Sequence, residues 1–589
     1  MCGISGMFAS PDEAVVQRMV KILSHRGPDG DGIWSDSNIV LGHNRLSIVD
    51  LIGSSQPIIG NNNTVLIANG EIYNHLELRS KINYQWTTSG DSEVILALHD
   101  EFVNKRGSGS HSDWIGRLNG MFSFALWDAN RKELILSRDA LGIKPLVRTV
   151  VGDSLLFASE MKAFHAHESY KPRLDELSLA LRLSWEYTLD SSTLIHGVHQ
   201  VRPGTVEVWK VGDDSKPHLQ SVDRFEHQEI TPESSWNPVN NASALLESFT
   251  VSVQERLMAD VPVGIVLSGG LDSSLVAAVA SEAAEREGKP VPACWTVAES
   301  EDNPDWLAAE AVASSLDLVH HQKIMAEESF VKDIPNLSWH GEDLDVSVLF
   351  FQPLFQEMRK QVKVGLCGQG ADEIHAGYPR YKDLHGHRSL VVNRIMNIDQ
   401  SVASPITNRN LPFHSCYYSN SLHPDDYTGE LTQMLNFELE RGQLSNFQLR
   451  LVDRHSMAHS LEVRVPFLGK PHRQASYLLP DQWRLPSNGL EKAALRSAAR
   501  LTELPNSIID RPKLPAGTAT SPGQLNTFLS EFAHYSKELS HHYPKYTKVL
   551  QQQPDMALGL GLFEALHIIE PHHQRSKYSI DSLLQEVLR

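Results

Sequence analysis

A glycine-rich turn near the middle of the chain carries the clearest sign of chemistry. Residues 261–267 form a valine-rich apolar run, Ser-Gly-Gly follows at 268–270, and an alanine-rich stretch begins at 275. This pattern predicts a buried strand, a tight turn and a helix. Backbone N–H groups at such a helix start attract phosphate, and Asp272 adds a carboxylate for a bridging Mg²⁺. The alternative is a turn without a ligand.

The thiol of Cys2 is a candidate nucleophile. Cysteine is small enough for the preceding methionine to be removed, which leaves a free α-amine on the same residue. That amine titrates at about pH 8 and can accept the thiol proton, directly or through a water. A Met-Cys start by itself is weak evidence for a nucleophile, because such starts also occur by chance.

Five segments in the first hundred residues support a role for Cys2. They read MCGISGMF at 1–8, HRGPDG at 25–30, RLSIVD at 45–50, NGEIYN at 69–74 and SGDSE at 89–93. Together they resemble the class II glutamine amidotransferase domain.

That resemblance implies a role for each matching residue. Cys2 attacks the side-chain amide of glutamine, and the Asn69 side chain with the Gly70 N–H forms the oxyanion hole. A guanidinium suits the α-carboxylate of the substrate and a carboxylate suits its α-ammonium, which fits Arg45 and Asp91. The implied glutamine-binding residues are Arg45, Asn69, Gly70, Glu71 and Asp91.

The second half of the chain carries motifs for the use of ATP. SGGLDSS at 268–274 resembles the pyrophosphate loop of ATP pyrophosphatases, and CGQGADE at 367–373 resembles the SGEGSDE or SGDGADE motif of asparagine synthetases. SLEVRVPFLG at 460–469 and EKAALR at 491–496 match further motifs of the same family. The resemblance to glutamine-hydrolysing asparagine synthetases covers roughly residues 2–518.

This second resemblance implies an adenylating site. Asp272 and Asp372 hold Mg²⁺ on pyrophosphate, as expected for two carboxylates on a metal that prefers oxygen. Lys513 stabilises charge on the adenylate or pyrophosphate. The implied ATP-binding residues are Leu267, Ser268, Gly269, Gly270, Asp272, Ser273, Val297, Cys367 and Gly368.

The acceptor side departs from the family pattern. Gln369 stands where an acidic residue usually lies, and a glutamine cannot serve as a base or balance an ammonium charge. LFFQ at 349–352 replaces the IRAS of the family, and the sequence after Lys513 also differs. Glu342 and Asp345 are either pocket carboxylates or part of a solvated acidic face. The candidate acceptor pocket is therefore Glu342, Asp345 and Gln369.

Composition limits the classes of function. A chain of 589 residues with 41% hydrophobic and 21% charged residues predicts a globular protein of two or more domains. The net charge of −19 disfavours nucleic acid as a partner, and no apolar run is long enough to span a membrane. Four scattered cysteines predict neither a disulfide framework nor a zinc site, so a cytoplasmic location fits best. They are Cys2, Cys294, Cys367 and Cys416.

Patterning predicts an α/β fold in two parts. Short β-type runs and helical stretches in the first part indicate a layered domain rich in antiparallel sheet, and the resemblance implies an α/β/β/α N-terminal-nucleophile sandwich. Strand-like runs at 261–267, 291–297 and 362–367 alternate with helices, which indicates a parallel sheet of the Rossmann-like adenine-nucleotide α-hydrolase type. We expect a glutaminase domain at 1–210, a linker at 211–241, a synthetase domain at 242–530 and a helical tail at 531–589.

The sequence predicts an ATP-dependent, glutamine-hydrolysing amidotransferase that forms an amide from a carboxylate through an acyl-adenylate. Internal passage of ammonia between the two sites is implied by the resemblance. L-Aspartate is the first acceptor to consider, and the rival is an amide- or lactam-forming ligase for another carboxylate. A glutaminase or regulatory binding protein with a decayed synthetase site is the alternative of another class. The sequence does not decide the oligomeric state, for which a homodimer is one option.

Overall fold

The computed structural model describes residues 2–104, 109–325, 327–348, 350–408, 421–514 and 522–589. These residues group into two compact units. The first unit contains Met1–Asp175, Asp190–Gln228 and Leu449–Leu461, and the second contains Glu176–Leu189, Glu229–Gln448 and Glu462–Arg589. Residues 176–189 therefore belong to the second unit although the chain around them builds the first, and residues 449–461 belong to the first unit although the chain around them builds the second.

Two six-stranded antiparallel sheets form the first unit, in the orders β10-β8-β9-β1-β3-β2 and β12-β11-β7-β6-β5-β4. The strands are β1 (Gly3–Phe8), β2 (Gly30–Ser35), β3 (Ile39–Arg45), β4 (Ile58–Ile59), β5 (Thr64–Ile72), β6 (Gly120–Asp128), β7 (Glu133–Arg138), β8 (Val147–Val151), β9 (Ser154–Ala158), β10 (His199–Gln200), β11 (Thr205–Val211) and β12 (Pro217–Arg224). Its helices are α1 (Glu13–Ile22), α2 (His75–Lys81), α3 (Val94–Asn104) and α4 (His111–Ile115), with Leu449–Met457 and the short 3₁₀ turns Ser24–Arg26 and Met161–Ala166.

The two sheets pack face to face between layers of helices. On β5, Val65 and Ile67 belong to the core shared by both sheets, whereas Leu66 and Ala68 belong to the core beneath α3 and α4. This alternation follows from the two-residue period of a strand. Helix α1 covers the other sheet at β1 and β3. The predicted α/β/β/α sandwich is confirmed.

Part of the segment predicted as a linker is a strand. Residues 217–224 form β12, which pairs antiparallel with β11 at the edge of its sheet. Its polar side chains remain largely exposed, and a polar edge strand gives no apolar alternation by which sequence patterning could find it. The domain limits at 210, 241 and 530 stay predictions.

The second unit is built on a five-stranded parallel sheet in the order β15-β14-β13-β16-β17. Its strands are β13 (Val263–Val266), β14 (Ala293–Ala298), β15 (His320–Ile324), β16 (Val364–Leu366) and β17 (Glu462–Arg464). Its α-helices are Glu176–Trp185, Pro238–Arg256, Leu271–Arg286, Pro304–Ser315, Glu327–Gly341, Phe351–Arg359, Ala371–His375, Leu384–Met396, Gln400–Thr407, Leu431–Arg441, Lys470–Tyr477, Asp481–Arg484, Ala493–Ala499, Asn506–Ile509, Pro522–Glu531, Ala533–His542, Thr547–Gln551, Pro554–Glu564 and Ile580–Leu588. Shorter 3₁₀ or π segments are Pro379–Lys382, Pro424–Asp426, Gln443–Gln448, Pro466–Leu468, Pro544–Tyr546, Ala565–Ile569 and His573–Lys577.

The order of this sheet creates a crevice at one point. After β13 the chain proceeds to β14 and β15 on one side, and β16 and β17 are added on the other. The loops that leave β13 and β16 therefore diverge at the carboxyl edge of the sheet, where ligands of such folds bind. The predicted parallel Rossmann-like sheet is confirmed, although sequence patterning missed β15, which is polar, and β17, which has three residues.

The tail beyond residue 530 is helical, as predicted, and it contributes buried residues such as Leu558, Leu562 and Leu584. Within the ranges that the structure describes, every helix is too short or too polar to cross a lipid bilayer.

Truncating a side chain between the two sheets should destabilise the first unit. Phe157 on β9 is fully buried there, so we expect Phe157→Ala to lower the free energy of unfolding by about 3–5 kcal/mol. Urea titration followed by hydrogen exchange in β1 and β9 measures this unit alone. The control Leu76→Ala removes a side chain that is 70% exposed and should cost less than about 0.5 kcal/mol. Equal losses in the two variants would contradict the sandwich core.

Candidate functional site

Cys2 is held in place from two directions within the first unit. It immediately precedes β1 and is buried. Its backbone N–H donates to Oδ1 of Asn69 on β5 at 3.0 Å, and its carbonyl accepts from Nε of Arg26 at 3.1 Å. Strands of the two facing sheets thus bring together a thiol and an amide that lie 67 positions apart.

The strand next to Cys2 offers hydrogen-bond donors. Nδ2 of Asn69 is buried and has no hydrogen-bond acceptor among the residues described. The following Gly70 has φ +143°, and a Cβ there would lie 1.9 Å from the carbonyl oxygen of Met121. Only glycine fits such a position. A neutral, unsatisfied N–H donor on the side chain that contacts a nucleophilic residue is suited to stabilise a developing oxyanion.

Arg45 ends β3 and is fixed by backbone carbonyls. Its guanidinium donates to the carbonyl oxygens of Asp50 at 2.6 Å and Leu51 at 3.2 Å. The Asp50 carboxylate in turn accepts from Ser54 Oγ at 2.7 Å and from the N–H of Ser89 at 2.9 Å. Burial alone would raise the pKa of Asp50, but these hydrogen bonds outweigh it and lower that pKa.

Asp91 and Glu71 lie on the same side of the first unit as Asn69. Oδ2 of Asp91 accepts from the N–H of Ile72, the last residue of β5, at 2.6 Å. Glu71 stands on β5 directly after Gly70 and is 4% exposed. The structure therefore links Asn69, Gly70, Glu71 and Asp91 through one strand. Their roles toward glutamine stay predictions.

A buried cluster of charges beneath Cys2 was not among the predicted site residues. Arg26 donates to Glu160 at 2.7 Å and to Asp453 at 2.9 Å, and Lys162 lies 2.5 Å from Glu160. Burial opposes the charge on Arg26, but the two carboxylates raise its pKa above the ordinary value. The HRGPDG motif contained the signal, since its arginine is the one that reaches the Cys2 carbonyl.

In the second unit, the glycine turn has the predicted strand, turn and helix. Gly269 has φ +68°, and a Cβ there would lie 2.4 Å from the backbone N of Ala309. The turn is closed by Oγ of Ser273, which accepts from the N–H of Ser268 at 3.1 Å. The helix Leu271–Arg286 begins directly after the turn, so the backbone N–H groups of the turn lie at the positive end of the helix dipole.

Two aspartates and two lysines meet at this end of the sheet. Nζ of Lys492 lies 2.6 Å from Asp272 and 2.5 Å from Asp372. Nζ of Lys513 lies 2.8 Å from Asp372 and 3.9 Å from Asp272. Asp272 follows β13 and Asp372 follows β16, which are neighbours in the sheet. Strand order therefore brings together groups that lie a hundred positions or more apart. We call these four residues the charge cluster.

Opposite charges shift the pKa values of Asp372 and Lys513 in the direction that favours their ionised forms. Burial would raise the pKa of Asp372, but Lys492 and Lys513 outweigh it and lower that pKa well below its usual range. Burial would likewise lower the pKa of Lys513, but the two aspartates raise it. For the adjacent Glu373, burial and the Asp372 charge outweigh the Tyr378 hydrogen bond and the Arg380 charge, and its pKa rises to about 7.

Sequence reasoning missed Lys492 as a site residue. Its backbone has φ +60° and its side chain is 1% exposed. The sequence EKAALR, by contrast, is typical of the solvent-exposed start of a helix, where a lysine would not be expected to be buried. Its neighbour Glu491 holds the other lysine, because Oε1 of Glu491 accepts from the backbone N–H of Lys513 at 2.8 Å. Lys382 and Arg496 also pair with Glu491, and its pKa is lowered to about 2 although burial opposes this.

A cavity opens at the charge cluster and collects most of the predicted ATP-site residues. Predicted residues that line it are Ser268, Gly270, Asp272, Ser273, Cys367, Gly368, Gln369, Asp372 and Lys513. Predicted residues that are not part of its lining are Leu267, Gly269, Val297, Glu342 and Asp345. Leu267 and Val297 are buried at the ends of β13 and β14. The predicted differences at Leu349 and at 515–521 lie outside the described residues.

The three predicted acceptor residues are not brought together in this cavity. Gln369 lines it, and its Nε2 donates to Oε1 of Gln448 at 3.0 Å. Glu342 is fully buried with φ +52°. Asp345 accepts from the N–H and the hydroxyl of Ser347, both at 2.7 Å. Of the three, the cavity walls contain only Gln369.

The aspartates of the charge cluster fit a divalent metal. Oδ1 of Asp272 is buried and accepts no hydrogen bond from any group that the structure describes. Both carboxylates lie within 2.6 Å of one ammonium, so they converge on one small volume. Carboxylate oxygens are preferred ligands of Mg²⁺. Asp272 and Asp372 are therefore the residues that would hold it.

Comparison with known proteins adds an independent finding. A family model described as "Glutamine amidotransferase domain" matches residues 1–219, and one described as "Asparagine synthase" matches residues 244–553, more than half of the chain. A solved structure of glutamine phosphoribosylpyrophosphate amidotransferase from Bacillus subtilis is 20% identical and covers 49% of this chain and 65% of that one. Its TM-score of 0.28 is too low to support any conclusion.

Relatives align over most of the length. Asparagine synthetase [glutamine-hydrolyzing] 3 of Bacillus subtilis is 30% identical in an alignment of 607 positions, gaps included, that covers 93% of this chain and 88% of that protein. Asparagine synthetase B of Escherichia coli is 29% identical and covers 87% of this chain and 81% of that protein. The rat asparagine synthetase is 28% identical, with coverage of 87% and 83%. This chain belongs to the family of glutamine-hydrolysing asparagine synthetases, which are carbon–nitrogen ligases.

Proposed function

We propose that this protein hydrolyses glutamine at Cys2 and uses the ammonia to convert an ATP-activated carboxylate into an amide. The products are glutamate, AMP, pyrophosphate and the amide. L-Aspartate is the acceptor that the names of the relatives imply, and it is the first candidate. The observation that carries the proposal is the convergence of Asp272, Asp372, Lys492 and Lys513 on one cavity.

The glutaminase half uses groups that surround Cys2. After removal of Met1, the α-amine of Cys2 takes the thiol proton and the sulfur attacks the glutamine amide. Nδ2 of Asn69 and the N–H of Gly70 stabilise the oxyanion. Arg45 binds the α-carboxylate of glutamine and Asp91 binds its α-ammonium, with Glu71 beside them. Ammonia leaves, and water releases glutamate from the thioester.

The synthetase half uses the cavity at the carboxyl edge of the parallel sheet. ATP phosphates lie against the turn 268–273, and Mg²⁺ held by Asp272 and Asp372 would neutralise part of their charge. The acceptor carboxylate attacks the α-phosphorus, pyrophosphate leaves, and Lys492 and Lys513 stabilise its charge. Ammonia then attacks the acyl-adenylate carbonyl, AMP leaves, and a proton is released.

A second candidate acceptor is a carboxylate other than aspartate. Gln369, bonded to Gln448, places a neutral amide where the family motif usually has an acidic side chain. A neutral amide cannot balance the α-ammonium of aspartate. The intact charge cluster, in turn, supports an adenylating site over a decayed one.

Incubation with ATP, Mg²⁺, glutamine and L-aspartate, followed by mass spectrometry, tests the first acceptor. Asparagine, AMP and pyrophosphate in equal amounts support aspartate. Glutamate and AMP with another amide, formed only when a different acid is supplied, support the second candidate. Absence of AMP with every acid would contradict amide formation by this protein.

We expect Cys2→Ala to abolish glutamine-dependent amide formation, by at least about 10³-fold, because the nucleophile is lost. Synthesis from ammonium chloride should continue at the wild-type rate, because only glutamine hydrolysis needs the thiol. AMP release with each nitrogen source measures both. Cys294→Ala removes a thiol from the core of the second unit and should leave glutamine use intact. Retained glutamine use in Cys2→Ala would contradict the assignment.

We expect Asp272→Asn to reduce pyrophosphate release by about 10²-fold or more, because one of the charges that organise the phosphates is lost. Glutamine hydrolysis should persist. The control Asp317→Asn makes the same change at an exposed position of the second unit with φ +50°, which asparagine tolerates. Unchanged pyrophosphate release in Asp272→Asn would show that this carboxylate does not serve ATP.

A further inference from the structure

The two acceptor candidates differ in charge, and the walls of the cavity distinguish them. Besides the carboxylate that reacts, L-aspartate carries an α-ammonium and a second carboxylate. Burying either charge is costly unless a partner of opposite sign is available. An acceptor with an uncharged body needs no such partner.

The charged walls of the cavity already have partners. The charge cluster contributes four of them, and the others pair with neighbours. Arg511 lies 2.7 Å from Asp305, and its other amino group donates to the carbonyl of Gly269 at 3.2 Å. Arg496 lies 2.8 Å from Glu491. These ion pairs tie the charged walls to the phosphate turn and to the segment that carries the lysines.

Two aromatic rings are among the uncharged residues of the lining. Phe350 and Phe351 line the cavity with ring centroids 4.4 Å apart. The Phe351 ring also stacks on Phe355, at 5.1 Å and an interplanar angle of 10°. Because Phe355 is fully buried, it fixes Phe351 from behind. Packed aromatic rings present a rigid apolar surface that favours another ring.

Neutral groups continue around this wall. Gln369 faces the cavity with its amide bonded to Gln448, and Leu514 completes the lining after Lys513. Among the described residues that line the cavity, every charged side chain is already in an ion pair, so none is left over for the α-ammonium of aspartate.

We propose that the acceptor is a monocarboxylic acid whose body is apolar and aromatic, held by Phe350 and Phe351. The inference rests on the proposed function and specifies its acceptor. The reacting carboxylate lies toward the charge cluster, and Gln369 hydrogen-bonds the carboxyl group or the incoming ammonia. The product is the primary amide of that acid.

Exchange of labelled pyrophosphate into ATP measures adenylation without ammonia. The full-length enzyme is assayed with 3-phenylpropionate, propionate, succinate and L-aspartate as probes at equal concentration. We expect 3-phenylpropionate to exceed propionate by about tenfold or more, because the ring is removed from water, and to exceed L-aspartate and succinate as well. Fastest exchange with L-aspartate, or equal exchange with the two monoacids, overturns the inference and leaves the proposed function standing. No exchange with any acid overturns both.

Variants at Phe351 test whether the aromatic wall serves the acceptor. We expect Phe351→Arg to lower kcat/KM for 3-phenylpropionate by about tenfold or more, with the KM for ATP and the glutaminase rate unchanged. Phe351→Leu keeps the wall apolar and should lose less. A raised KM for ATP in either variant would place the adenine ring against this wall and overturn the inference. An unchanged kcat/KM in both variants would overturn it as well.

Discussion

The structure depends on the proximity of two buried carboxylates that would repel each other without compensation. Asp272 and Asp372 are each less than a tenth exposed, and both contact Lys492 and Lys513. Removing one partner from a buried ion pair typically costs about 3–5 kcal/mol. The position of each element that carries one of these four charges is therefore constrained by the other three. Parallel pairing of β13 with β16 makes this constraint achievable, because it sets the two aspartate-bearing loops side by side.

Charged and uncharged groups both line the cavity. Its lining combines the charge cluster, Asp305, Arg496 and Arg511 with uncharged groups that include Phe350, Phe351 and Gln369. Such a combination suits a reaction in which one substrate is a polyanion and the other offers a single carboxylate. In the sequence, Asp272 and Asp372 lie in segments that match the family motifs, whereas Phe350, Phe351 and Gln369 stand where the family usually has other residues.

Much of the fold and the proximity of Cys2 to Asn69 could be predicted from the sequence, for identifiable reasons. Apolar runs such as 64–68 marked strands of the sandwich, and the turn at 268–270 marked the phosphate side of the parallel sheet. The partnership of Cys2 and Asn69 came from motif resemblance, because no local pattern indicates which strands face each other. Lys492 was missed because its role depends on a contact with Asp272, which lies 220 positions earlier in the chain. It also depends on a left-handed backbone conformation that the local sequence does not indicate. The polar strand β12 was missed because it buries no regular face.

The first unit is assembled from segments that lie far apart in the sequence, and this affects when it can fold during synthesis. Residues 449–461 belong to that unit, and Asp453 neutralises the buried Arg26 that supports the Cys2 carbonyl. When the first 230 residues have been synthesised, the first unit therefore still lacks residues 449–461, which include Asp453. Domains that fold during synthesis normally do so from the N-terminus onward. Here the group that neutralises Arg26 is supplied only after β13, β14, β15 and β16 of the parallel sheet have been synthesised.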